Sequence, residues 1–358
     1  MIALQTALLA DLGRVDSRAD ELTGVQVDSR RIRPGDLFVA VGRGSEFLSD
    51  ALEGGAAATL VPDDAFAALA EIGRTVRDRS TARVVGITGS MGKTSTKDIL
   101  AALCEIARPE IGVITNIGPV HLELVDSLDG VRRAKRELVD ALPPGGTAVI
   151  PPDFPIERDD IDVVRVASPT ATPRDGRTEI GGVSFNFTAR HQAQNAATAL
   201  AALDALGLPR PARVDVDFSR WRGEEDELPG GGLLINDAYN ANPVSMRAAL
   251  AYLADRAGDR RRVAILGDMA ELGRTAPAYH REVGEAAAEA GVDELLAVGE
   301  LARGYLEAGV PGRWFPNVHE AVRAVGDVVR PGDAVLVKAS RAVGLEAVAA
   351  ALTELTTA

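Results

Sequence analysis

Cysteine is almost missing from this chain: Cys104 is the only one in 358 residues, which excludes an internal disulfide framework and a multi-cysteine zinc site. Positive charge is scarce as well, with 39 Lys and Arg against 52 Asp and Glu and a formal net charge of −13. A general nucleic-acid binder needs a basic surface to displace counterions from phosphates, so no nucleic-acid partner is expected. Long apolar runs are lacking too. The apolar first ten residues carry no basic leader and run into Asp11, so neither a secretory signal nor membrane insertion is expected, and a cytoplasmic location is. What remains, 46% apolar and 25% charged residues, is the composition of a folded protein long enough for two or three domains.

The most informative segment is Val84-Val85-Gly86-Ile87-Thr88-Gly89-Ser90-Met91-Gly92-Lys93-Thr94-Ser95-Thr96-Lys97. An apolar strand enters a glycine loop and leaves as a helix that opens with Lys-Thr. Gly89 and Gly92 allow backbone N–H groups to turn toward phosphate oxygens, the helix start contributes its partial positive charge, and Lys93 adds a full one. Thr94 or Ser95 then offers a hydroxyl to Mg²⁺. Ile87 stands where a strict Walker loop has glycine, so the spacing is a shortened variant.

Hydrophobic patterning divides the chain into three α/β blocks, 1–81, 82–232 and 233–358. In the first, strands are expected over Val25–Arg30, Pro34–Val41 and Ala58–Val61, with a helix over Glu46–Leu52. The second alternates the loop strand at Arg83–Thr88, its helix, strands at Ile111–Thr115 and Thr147–Ile150, and helices near Leu128–Leu142 and Gln192–Leu206. This is the order of a parallel sheet. Pro151–Gly182 reads as loop. After Pro229-Gly230-Gly231-Gly232, strands at Leu233–Asp237, Val263–Leu266, Leu295–Val298 and Ala334–Val337 interleave with helices near Tyr279–Ala290, Glu300–Ala308, Val318–Val328 and Leu345–Leu355, a Rossmann-like arrangement.

Three further segments accompany the loop: Ile114-Thr115-Asn116-Ile117-Gly118-Pro119-Val120-His121-Leu122-Glu123, Asn236-Asp237-Ala238-Tyr239-Asn240-Ala241-Asn242-Pro243 and Leu266-Gly267-Asp268-Met269-Ala270-Glu271-Leu272-Gly273. Together the four resemble the Mur ligases, and among them the members that join D-Ala-D-Ala to a UDP-N-acetylmuramoyl tripeptide. The resemblance implies an ATP- and Mg²⁺-dependent amide ligase of peptidoglycan synthesis, with one domain for each substrate. The peptide carboxylate would be phosphorylated by ATP and the acyl phosphate attacked by the dipeptide amine. Positioning and charge neutralisation would carry most of the rate.

The resemblance also implies roles. Gly89, Ser90, Met91, Gly92, Lys93, Thr94 and Ser95 would bind ATP, with Asn195 at the adenine, Arg222 at the phosphate and Asp237 in the nucleotide site. Asp28, Ser29 and Arg30 would meet the uridine nucleotide, although Asp28-Ser29 also fits a plain Asx turn. Thr94, His121 and a carbamylated Lys135 would hold metal, and Lys93, Lys135, His121 and Arg222 would serve catalysis. Asn240, Asn242, Lys338 and Arg341 would meet the acceptor dipeptide. Trp221 reads as packing. A monomer is expected.

One departure stands out. Between the phosphate-loop helix and Ile111 the chain has only Leu103 to Glu110, where the family carries several tens of residues more, including a strand that ends in a metal-binding glutamate. Glu105 and Glu110 are the nearest carboxylates and neither has the right context. The chain is therefore either a ligase with a trimmed central domain, or a member that binds nucleotide or UDP precursor without turning it over. An unrelated P-loop kinase or switch GTPase would leave the Asp237–Pro243 segment and the Rossmann-like block without a role.

Overall fold

Along the last third of the chain, apolar residues take alternate strand positions on two opposite faces. Ala264, Leu266 and Leu336 join one buried cluster, and Val263, Ile265, Val335 and Val337 join another. Because side chains on a strand alternate in direction, such continuous apolar runs require a sheet covered on both sides. The computed structural model of the protein shows this arrangement; it describes residues 3–89, 107–119, 122–171, 173–218 and 220–354. The chain divides into two units, one built on the first 86 residues with two short later pieces, the other containing residues 87–94, 113–136 and 147–358.

In the first unit, β1 (Gly13–Ser17), β2 (Gly24–Gln26), β3 (Asp36–Val39) and β4 (Ala58–Pro62) form a sheet of order β1-β4-β3-β2. It packs on α1 (Leu48–Glu53) and α2 (Ala65–Asp78), the latter capped by the Asp64 carboxylate. The expected strand over Val25–Arg30 stops early. Asp28 accepts the N–H of Arg30, and this local bond competes with the sheet ladder and closes a 3-10 turn over Ser29–Arg31.

Another sheet has the order β8-β7-β6-β5, from β5 (Val85–Thr88), β6 (Ile111–Ile114), β7 (Thr147–Ile150) and β8 (Asp162–Arg165). β8 falls inside the stretch expected to be loop, as does a short strand at Thr178–Ile180 that pairs with Val183–Phe185. After β6 comes α3 (Leu122–Val125), then α4 (Leu128–Asp140). The three-stranded sheet completed by Arg213–Val214 supports α5 (Arg190–Ala205) through Phe185, Phe187, Ala193 and Leu200.

The largest sheet, all in the second unit, runs β9-β10-β14-β11-β12-β13, from β9 (Glu224–Leu228), β10 (Gly232–Asn236), β11 (Arg262–Gly267), β12 (Glu294–Val298), β13 (Gly312–Phe315) and β14 (Ala334–Lys338). Only the β9–β10 pair is antiparallel. α6 (Pro243–Ala257) and α7 (Ala276–Glu289) cover one face, α8 (Val318–Val328) and α9 (Glu346–Glu354) the other. Each fully buried Leu or Val contributes about 2 kcal/mol of transfer free energy. α6 was not anticipated as a helix. Asn242 accepts the N–H of Ser245 while Ser245 Oγ accepts the N–H of Asn242, a reciprocal cap with Pro243 at the first helical position. The segment expected to be helical at Glu300–Ala308 is a 3-10 helix, Leu301–Ala308, ended by Gly309 at φ 80.

Candidate active site

Ligands of open parallel sheets bind beyond the carboxyl ends of the strands. In the second unit that position is a cleft of about 400 Å³. Asn116 and Gly118, just after β6, line it together with Gln192, Gln194 and Asn195 of α5. Asp237, Tyr239, Asn240 and Asn242 come from the turn after β10, Lys338 from the end of β14, and Arg222 from the residues before β9. Six residues chosen from the sequence, Asn195, Arg222, Asp237, Asn240, Asn242 and Lys338, thus meet in one place although up to 143 positions separate them. The volume suits a small-molecule site.

Arg222 is aimed by its neighbours. Trp221 takes a left-handed backbone, φ 62, and its carbonyl accepts the N–H of Tyr239 at 3.1 Å. The turn sends the Trp221 ring onto the core beneath β14, the packing role expected of it, and leaves the Arg222 guanidinium over the Tyr239 ring at 3.9 Å from the centroid. A positive φ on so large a residue is strained and clusters at functional sites. Arg341 does not reach the cleft. It pairs with Glu346 at 2.6 Å and lies over the Trp221 ring.

Asn195 is exposed, its amide donating to Gln192 Oε1 at 2.8 Å, so the two side chains present a joined polar edge to the cleft. Asn242 has a double identity: it lines the cleft and caps α6. Lys338, although a cleft residue, is only 2% exposed and donates to Asp237 Oδ2 at 2.5 Å and to the Asn240 carbonyl at 2.9 Å.

At the entrance to the phosphate loop, Thr115 N–H donates to the Thr88 carbonyl at 3.0 Å, and a side chain at position 89 would collide with Thr115 Oγ1, so Gly89 is required by close approach. Lys135 of α4 donates to the Gly89 carbonyl. It is 8% exposed, and burial lowers its pKa to about 8. The expected sites Ser90, Met91, Gly92, Lys93, Thr94, Ser95 and His121, with Cys104 and Glu105, lie outside the described residues. Among the described residues no cluster of three His, Cys, Asp or Glu side chains is arranged to hold a metal, and of the expected metal group only Lys135 is described.

Asp28 and Arg30 bond chiefly to each other, at 2.8 Å on the exposed turn after β2, and this pair holds the Asp28 carboxyl at about 2.

Sequence comparison matches residues 101–172 to the Mur ligase middle domain and residues 222–341 to the Mur ligase, glutamate ligase domain. A Mycobacterium tuberculosis protein named UDP-N-acetylmuramoyl-tripeptide–D-alanyl-D-alanine ligase is 31% identical, over 96% of this chain and 95% of its own length. The chain belongs to the Mur ligase family. The Escherichia coli protein of the same name is 28% identical over 99% of each chain. Among solved structures, MurF from Acinetobacter baumannii superposes with a TM-score of 0.83 at 23% identity over 99% of both chains. MurF from Thermotoga maritima in complex with ADP gives 0.76 at 22% identity over 93% of this chain and 97% of that one. Both show the same fold. The alignment to the E. coli relative runs over 458 positions against a chain of 358 residues, so that Mur ligase carries internal segments this one does not have. No described helix is long and apolar enough to cross a membrane.

Sequence reading passed over Gln192, Gln194 and Tyr239 as cleft residues. Tyr239 was within a quoted motif, but its pairing with Arg222 depends on the backbone reversal at Trp221, which no local pattern announces.

Proposed function

We propose that this Mur ligase adds D-Ala-D-Ala to UDP-N-acetylmuramoyl tripeptide with consumption of ATP, in the cytoplasm and as a monomer. Three domains, 1–81, 82–232 and 233–358, would divide the work. The observation that carries the reading is the gathering of Asn195, Arg222, Asp237, Asn240 and Asn242 around a single cleft at the strand ends. An amine cannot displace hydroxide from a carboxylate at neutral pH, so the carboxylate must first be phosphorylated, and the chain's task is to hold the partners and spread the charge.

In this reading Asn195 and Gln192 meet the base and Asp237 the remainder of the nucleoside. Arg222, held over Tyr239 beside the cleft, neutralises charge on the transferring phosphoryl group. Asn240 and Asn242 face the acceptor, and Asp28, Ser29 and Arg30 meet the uridine nucleotide. Mg²⁺, when bound, would supply charge neutralisation at the phosphates, and Thr94, His121 and, once carbamylated, Lys135 would hold it. Lys135 fits carbamylation: its ammonium is buried, and burial lowers its pKa to about 8, which favours the reactive neutral amine. A carbamate nitrogen keeps one N–H, enough to preserve the bond to the Gly89 carbonyl.

Release of ADP that requires UDP-N-acetylmuramoyl tripeptide, D-Ala-D-Ala and Mg²⁺ together tests the proposal, and no release above an Arg222→Ala control would refute it. The missing internal segments favour a second reading, a member that binds ATP or the UDP precursor without turnover. Calorimetric binding of either ligand with no ADP release would select it.

A further inference from the structure

The order of the largest sheet places β14 between β10 and β11, so residues leaving β14 can reach the turns on both sides. Two of them do. Lys338 donates to Asp237 Oδ2 and to the Asn240 carbonyl in the turn after β10. Ser340, 4% exposed, accepts the N–H of Ala270 at 2.8 Å, donates to the Ala241 carbonyl at 3.4 Å, and gives its own N–H to the Asp268 carbonyl at 3.1 Å. An ammonium buried to this degree survives only if its charge is met and its donors are used. Here a carboxylate and a carbonyl of its own chain use two of the three. With its charge already met by Asp237, a lysine committed in this way has one N–H left, and an acceptor carboxylate would have to compete with Asp237 for the ammonium.

We propose that Lys338 is a positioning residue for the nucleotide and not a contact for the acceptor. Its ion pair fixes the 237–242 segment as one wall of the cleft. It occupies Oδ2 of Asp237 and leaves Oδ1, which meets no donor among the described residues, to a donor on the nucleotide. Ser340 ties the same segment to the 268–270 turn, so the two turns hold one spacing. This rests on the nucleotide reading of the cleft given above.

The test uses the full chain as wild type, Lys338→Met, Asp237→Asn and the double variant. Mg·ATP affinity is measured by calorimetry, KM for ATP and for D-Ala-D-Ala by ADP release, and hydrogen exchange of the amides in 237–242 by mass spectrometry. Lys338→Met is expected to weaken Mg·ATP about tenfold or more, the scale on which misplaced positioning groups act, and to raise KM for D-Ala-D-Ala by a smaller factor, because Asn240 and Asn242 lie in the same segment. Exchange over 237–242 should quicken, and adding Asp237→Asn should cost little more, because both changes break one unit. A raised KM for D-Ala-D-Ala with unchanged ATP affinity and unchanged exchange would overturn the proposal. If Lys338→Met does not fold, Ser340→Ala serves, with faster exchange expected in both 237–242 and 268–270; unchanged exchange there counts against the proposal. A wild type that binds no Mg·ATP defeats the nucleotide reading itself, an outcome distinct from failure of the positioning role in a chain that does bind.

Discussion

Two buried lysines of the second unit solve the same problem in opposite ways. Lys338, at the rim of the largest sheet, is matched by the Asp237 carboxylate and a carbonyl. Lys135, beside the start of the phosphate loop, has the Gly89 carbonyl and no carboxylate partner among the described residues, and burial alone drags its pKa down. A matched charge is a fastening. An unmatched one is a latent neutral amine, suited to chemistry and costly to leave protonated. The regions around them differ in the same sense. Ile265, Leu336 and Val337 of the largest sheet are fully buried, whereas Ile87 of β5 is 67% exposed.

Removing Lys135 should have the largest effect. Lys135→Met is expected to lower ADP release by about a hundredfold or more with a smaller change in ATP affinity, and Lys135→Arg, which has no amine to carbamylate, should not restore it. A Lys135→Met enzyme with normal turnover would remove the contrast between the two lysines altogether. On the stability side, Leu336→Ala should cost about 2–5 kcal/mol in urea unfolding, because it empties a site inside the doubly covered sheet. Arg222→Ala should reduce kcat by about tenfold to a hundredfold, measured at saturating ATP.

A pH experiment sharpens the contrast between fastened and unfastened groups. His280 is fully buried, accepts the Met269 N–H on Nε2 at 3.0 Å and donates from Nδ1 to the Ala276 carbonyl at 2.7 Å, so it must be neutral, and burial lowers its pKa. The unfolded chain therefore binds the proton more readily. The stability His280 provides is present above its unfolded value near 6.5 and is lost as pH falls below it toward the lowered folded value. Lys135 obeys the same sign between about 8 and its ordinary 10.5, where stability should rise with pH. His280→Gln should flatten the acid slope of the unfolding curve, and Lys135→Met the alkaline one; slopes unchanged in both variants would contradict these environments. The smallest effects are expected from Asn242→Ala, about 1 kcal/mol for the lost cap, and Ile87→Thr, within about 0.5 kcal/mol at an exposed position.

Much of this could be read directly. Alternating apolar strands and Gly-Pro punctuation announced β10, β11, β12 and β14, and Asn195, Arg222, Asp237, Asn240 and Asn242 were recognisable from their motifs. The 3-10 turn at Asp28 was legible as an Asx turn, one of the two readings open for it. Helix α6 was missed because Asn242-Pro243 resembles the end of a turn as much as a cap, and Ser245 settles the matter only once its hydroxyl is seen to reach back. Lys338 was assigned to the acceptor because a lysine beyond a strand end looks like an anion site; its pairing with Asp237, 101 residues away, could not be read from local spacing.

The sequence by itself determined the periodicity of the sheets, the glycine at 89 and the family membership, because each is written in residue type and short spacing. Tertiary structure alone decided which charges are matched. Strand order brought the end of β14 between two distant turns and gave Lys338 a carboxylate, while α4 buried Lys135 against a carbonyl. Desolvation and Coulomb attraction depend on what surrounds a group in three dimensions, and two identical side chains therefore came to opposite electrostatic ends.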